Sequence, residues 1–115
     1  MTEARYAAMW AAAFALTVLV EAPIVTFWLR RRGAPLPRAI AAAFFAQLAT
    51  HPWVWFAFPA LPWRGRSSLV ASELFAWWVE AALYALVLPG LRWRAVVVSL
   101  AANVASYSVG ALLWA

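Results

Sequence analysis

The chain of 115 residues has four acidic side chains. Three of them, Glu21, Glu73 and Glu80, interrupt long apolar runs. Glu21 follows Thr17-Val18-Leu19-Val20, and Glu80 follows Trp77-Trp78-Val79. A charged acid at the centre of a membrane-spanning helix costs about 2.5–3.5 kcal/mol to insert. Two such residues in so short a chain point to a use for them. Facing each other, they form a coupled pair suited to holding a proton or a cation. A purely structural use is also open, with Glu21 hydrogen-bonded to Gln47 and Glu80 to Asn103 across helices. Thr50, His51 and Ser106 lie within a helical turn of those carboxamides.

Further polar residues extend this set. Glu73, Glu80 and Tyr84 fall on one helical face at spacings of seven and four, which makes Glu73 a mouth or interface carboxylate, with Arg64 or Arg66 as a possible ion-pair partner. Ser99, Asn103, Ser106 and Gly110 form a stripe at spacings of four, three and four. Such a stripe serves either close helix packing or one wall of a polar path. Pro52 follows Thr50-His51 and removes the backbone donor for the Leu48 carbonyl, and Pro23 does the same for Leu19. Freed carbonyls near polar side chains can bind cations, and they can equally be ordinary kinks. His51 is the single histidine; it suits a proton relay or a hydrogen-bonded core position.

The elements that carry these residues are read from hydropathy. Hydrophobic residues make up 68% of the chain and charged residues 11%, less than half the charged share of a soluble domain. A small soluble domain cannot bury that much apolar surface, so lipid is expected to solvate most side chains. Four segments have the roughly 20 apolar residues needed to span a bilayer: about 6–29, 39–58, 69–88 and 95–114. Arg30-Arg31-Arg32-Gly33-Ala34-Pro35 ends the first, and Pro37 opens the second. Pro59, Pro62 and Arg64-Gly65-Arg66 separate the second from the third, with Ser67 and Ser68 as N-cap candidates. Pro89-Gly90 forms the last turn. The expected fold is an all-α integral membrane protein, a four-helix transmembrane bundle in a single domain, 1–115.

The second hairpin repeats the polar positions of the first. Val20-Glu21-Ala22 matches Val79-Glu80-Ala81, and Arg38-Ala39 matches Arg94-Ala95. A carboxamide follows each Arg by nine residues, Gln47 and Asn103, and a hydroxyl follows three later, Thr50 and Ser106. The pattern predicts two tandem two-helix repeats, about 6–58 and 69–114, in parallel orientation. At about 1.5 Å per residue, Glu21, Gln47, Glu80 and Asn103 then share one layer roughly 13–15 Å deep. Six Arg residues (30, 31, 32, 38, 92 and 94) lie on one side and three (5, 64 and 66) on the other. The bias places both termini outside and the loops 30–38 and 89–94 in the cytoplasm, in the cytoplasmic membrane of a prokaryote-like cell. Trp10, Trp28, Trp53, Trp55, Trp63, Trp93 and Trp114 lie near segment ends and read as interfacial anchors.

Several classes are disfavoured. The chain has no Cys, which removes disulfides, thiolate metal sites and Cys nucleophiles. One His supplies neither paired haem ligands nor a metal cage. No phosphate loop, dinucleotide fingerprint or nucleophile triad is present, so no catalytic residue and no cofactor are expected. The net charge of +5 comes from Arg at segment ends, which suits lipid headgroups better than nucleic acid. The leading expectation is passage of protons or a small cation-like solute past the Glu21, Gln47, Glu80 and Asn103 layer. The alternatives are an accessory subunit of a larger membrane complex and, less favoured, an enzyme acting on lipid or quinone through His51. The expected partners are the bilayer, with a homo-oligomer or a larger complex in either reading.

Overall fold

The computed structural model describes residues 1–62, 65–90 and 92–114, with Trp114 described by its backbone alone. The described residues are helical, without strands, and form four α-helices: α1 (Glu3–Arg31), α2 (Leu36–Pro52), α3 (Arg66–Val87) and α4 (Arg92–Trp114). Thr2 caps α1 by accepting from the Arg5 amide at 3.2 Å. Pro23 lies inside α1, which continues through it. Pro37 sits in the first turn of α2, where no amide partner is needed. Gly65 precedes α3 with φ of 60°, a conformation that a Cβ disfavours. Ser67 and Ser68 are therefore inside α3 and do not cap it. Gly90, at φ 97°, makes the last turn.

Helices α1, α3 and α4 are long and apolar enough to cross a membrane. The second segment differs from the expected uninterrupted helix over 39–58. Regular α-helix ends at Pro52 after 17 residues. A π-helical turn, Trp53–Ala57, and a 3₁₀ turn, Phe58–Ala60, carry the helical path on. The cause is local. Pro52 has no N–H, and its ring crowds the preceding turn. The Trp53 amide reaches Thr50 O, and the Phe58 amide reaches back to Trp53 O, so the ladder changes register instead of breaking.

The helices form a ring in chain order. α1 packs against α2 and α4, and α3 packs against the same two. Glu21 and Glu80 thus stand on one diagonal, Gln47 and Asn103 on the other. The long axis of 45 Å matches a bilayer with its headgroups. One half of the bundle is solid. Toward the end carrying Arg30–Arg32, Arg38, Arg92 and Arg94, the interior is filled by Val25, Leu29, Ala39, Ala43, Tyr84 and Ala95. Ala39, Ala43 and Ala46 recur on α2, and Ala95 and Ala102 on α4, all buried; small side chains let helix backbones approach closely. The other half, toward the chain termini, is open.

Candidate functional site

The site begins where the solid half ends. Glu21, Gln47, Thr50 and Glu80 are each at most 2% exposed. Gln47 Nε2 donates to Glu21 Oε1 at 3.0 Å and to Glu80 Oε1 at 3.3 Å, so one amide bridges both acids. Asn103 Nδ2 donates to Glu80 Oε1 at 3.2 Å and to Ser99 O at 2.8 Å. Both interhelical pairs read from the spacing, Glu21–Gln47 and Glu80–Asn103, are present.

Two hydroxyls complete the layer in matching ways. Thr50 Oγ1 is 2.9 Å from Glu80 Oε2 and 3.0 Å from Ala46 O. Ser106 Oγ is 2.5 Å from Glu21 Oε2 and 3.1 Å from Asn103 O. Each hydroxyl has one hydrogen and two acceptors within reach. Pointed at the carboxylate, it donates to an ionised acid. Turned to its backbone carbonyl, it offers a lone pair to a protonated acid. Both acids therefore stay hydrogen-bonded with or without a proton, which a buried polar group needs in either state.

A cavity of about 170 Å³ opens from this layer, lined by Thr17, Glu21, His51, Glu73, Glu80 and Tyr107 among others. That is well above the roughly 10–15 Å³ required by one water. All lining residues outside the layer lie on the side of the chain termini. A wider open vestibule of about 550 Å³ shares Val54, Trp55 and Glu73 with it. The π-helical turn positions this junction. It places Trp55 on the cavity wall, stacked on His51 with ring centroids 6.2 Å apart, and its carbonyl accepts from Tyr6 Oη at 2.6 Å. His51 Nε2 is 3.3 Å from Thr17 Oγ1, while its Nδ1 is buried without a protein partner. Among the described residues, no group of three or more His, Cys, Asp or Glu is placed to hold a metal ion.

The structure brings Glu21, Gln47, Thr50, His51, Glu73, Glu80, Asn103 and Ser106 to one cavity. Two residues of the expected set lie apart. Tyr84 is fully buried in the solid half, and its hydroxyl has no protein partner. Ser99 donates to Trp77 O at 2.8 Å and so ties α4 to α3. The stripe on α4 thus divides: Ser99 packs, while Asn103, Ser106 and Gly110 line the cavity. Arg64, considered as a partner for Glu73, and the Trp63 and Trp114 side chains lie outside the described residues. Spacing missed Thr17, Trp55 and Tyr107. Thr17 lies four residues before Glu21 on the same face, a signal that could have found it. Trp55 reads as an interfacial anchor until the register change after Pro52 is known. Compared with family models, curated proteins and solved structures, the chain finds no match.

Proposed function

We propose that the protein is a four-span membrane bundle that takes up and releases protons, or a small cation in their place, at the Glu21–Glu80 pair. The observation carrying this reading is the pair of two-way hydroxyls, Thr50 and Ser106, each within reach of a carboxylate oxygen and a backbone carbonyl. An acid retained for packing needs partners for one protonation state. These two have partners for both. The cavity and vestibule supply a route from the end bearing the termini.

The reading includes two tandem repeats. Glu21 meets Ser106 of the second hairpin, and Glu80 meets Thr50 of the first. A twofold axis along the bundle exchanges these contacts. Ala39 and Ala95, Ala46 and Ala102, and Gln47 and Asn103 also have matching burial. With the Arg-rich end in the cytoplasm, the cavity faces outward.

The test is reconstitution of the purified protein in liposomes containing a pH-sensitive dye. The wild type should equilibrate a proton gradient, and Glu21→Gln and Glu80→Gln should not. Silence of the wild type, or retained flux in both variants, rejects the reading. One observation favours a second reading: the cavity reaches His51, as a membrane enzyme acting through that residue would require. His51→Ala separates the two. It abolishes a His-based turnover and leaves exchange at the acid pair in place.

A further inference from the structure

The cavity shares walls with two surface openings, and one of them lies between α3 and α4. Near the middle of α3 and α4 the helices are clamped by two bonds: Trp77 Nε1 donates to Val96 O at 2.8 Å, and Ser99 Oγ donates to Trp77 O at 2.8 Å. Beyond this clamp, toward the termini, a groove of about 390 Å³ separates the two helices. Its walls are Leu69, Val70, Leu74, Leu100 and Val104, side chains that are all more than 40% exposed. Its polar residues include Glu73, Asn103 and Tyr107, and these same three line the inner cavity. Glu73 also borders the outer vestibule. One carboxylate therefore stands where an apolar groove, a polar cavity and an open vestibule meet.

We infer that the α3–α4 groove admits an ammonium-headed amphiphile from the bilayer, its alkyl chain along the groove and its head at Glu73, facing the acid pair. This rests on the proposed function and names the class of cation that exchanges with the proton. Charge complementarity selects the head. Glu73, Glu21 and Glu80 all line one cavity, so a cation beside Glu73 meets carboxylates only, whereas an anion adds to their charge. An ammonium group has N–H donors for carboxylates, and the Trp55 and Tyr107 rings on the cavity wall offer it π faces. The chain gains little affinity over lipid, because lipid tails are as apolar as the groove. Its contribution is the lateral route. Specificity resides in the head.

The experiment uses dodecylamine with a photoreactive diazirine at the tail, incubated with the full-length protein in lipid nanodiscs and mapped by mass spectrometry after illumination. Label should concentrate on groove residues such as Leu74 and Val104, and fall roughly tenfold in Glu73→Gln, as loss of one charge-assisted contact implies. Dodecanol and dodecyl phosphate carrying the same diazirine should label the groove no more than other lipid-facing positions. Label spread evenly around the bundle, equal labelling by the alcohol or the phosphate, or no response to Glu73→Gln overturns the inference. Proton flux is measured on the same preparations. Flux that depends on Glu21 and Glu80 without groove labelling rejects the amphiphile and leaves the proton reading standing. Absence of that flux removes the reading itself, and the inference with it.

Discussion

Replacing Glu80 by Gln removes the ionisable group and leaves every donor of the layer an acceptor. The amide oxygen takes the place of Oε1, where Gln47 and Asn103 donate at 3.3 and 3.2 Å. The amide nitrogen takes the place of Oε2 and donates to Thr50 Oγ1, whose own hydrogen turns to Ala46 O, 3.0 Å away. No hydrogen bond is lost. An interhelical bond in a membrane is worth about 0.6 kcal/mol on average, so the stability of Glu80→Gln should stay within about that amount of the wild type. Glu80→Leu deletes all three contacts from Gln47, Thr50 and Asn103. At the same average, it should lose about 2 kcal/mol. The assay is unfolding in mixed micelles titrated with a denaturing detergent and followed by tryptophan fluorescence. It is paired with proton flux in liposomes. The expected pattern is a stable, silent Gln variant and an unstable, silent Leu variant. A Gln variant that loses as much stability as the Leu variant would show that the layer needs the charge itself, and would refute the two-way role of the hydroxyl.

Thr50→Val and Ser106→Ala each remove a two-way hydroxyl and should slow flux to a similar degree, whereas Thr50→Ser should retain it; unequal effects in the first two would count against the twofold arrangement. A single cysteine at position 2 should react with an impermeant thiol reagent added to intact cells, and one at position 33 only once the membrane is opened; labelling at position 33 in intact cells would reverse the orientation. Gly65→Ala should lower stability by about 1 kcal/mol, because the backbone there has positive φ, while nothing lies within 4 Å of the added Cβ; the unfolding titration measures it. Pro52→Ala should restore a donor to the Leu48 carbonyl and straighten the second helix, moving Trp55 off the cavity wall. Slower quenching of Trp fluorescence by aqueous acrylamide would mark the withdrawal of Trp55 from the vestibule.

The acid layer is legible in the sequence because polar residues in an apolar helix must find each other. Glu21 with Gln47, and Glu80 with Asn103, follow from counting depth at a fixed rise per residue. The cross-hairpin contacts, Glu21 with Ser106 and Glu80 with Thr50, follow less directly, since they depend on which diagonal each helix takes in the ring. The vestibule is hidden for a different reason. Pro52 announces a disturbed ladder, but residue types alone do not say whether the next turn kinks, stops or widens into a π turn. That choice decides where Trp55 points. Ser99 shows the limit of periodicity: it belongs to the polar stripe by spacing, yet the close approach of α4 to Trp77 takes its hydroxyl for a helix-to-helix tie. The apolar groove beside Glu73 leaves no pattern in the sequence, because its walls are the same Leu and Val residues that face lipid everywhere else.

The division of the bundle into an open half and a solid half also determines where a membrane voltage acts. An electric potential falls across the insulating part of a path and hardly at all across the part that water fills. From the acid pair to the Arg-rich end the interior is packed with Val25, Leu29, Ala39, Tyr84 and Ala95, so nearly all of the potential drops there, over roughly eight residues of helix or about 12 Å. If protons reach Glu21 or Glu80 from the vestibule, as proposed, they have crossed little of the field, and their binding should be almost indifferent to voltage. A charge that goes on through the solid half meets about 2.3 kcal/mol for each 100 mV. Under the proposed function, binding and passage would thus separate electrically within a single small bundle, the first sensing the solution at the vestibule and the second the membrane potential.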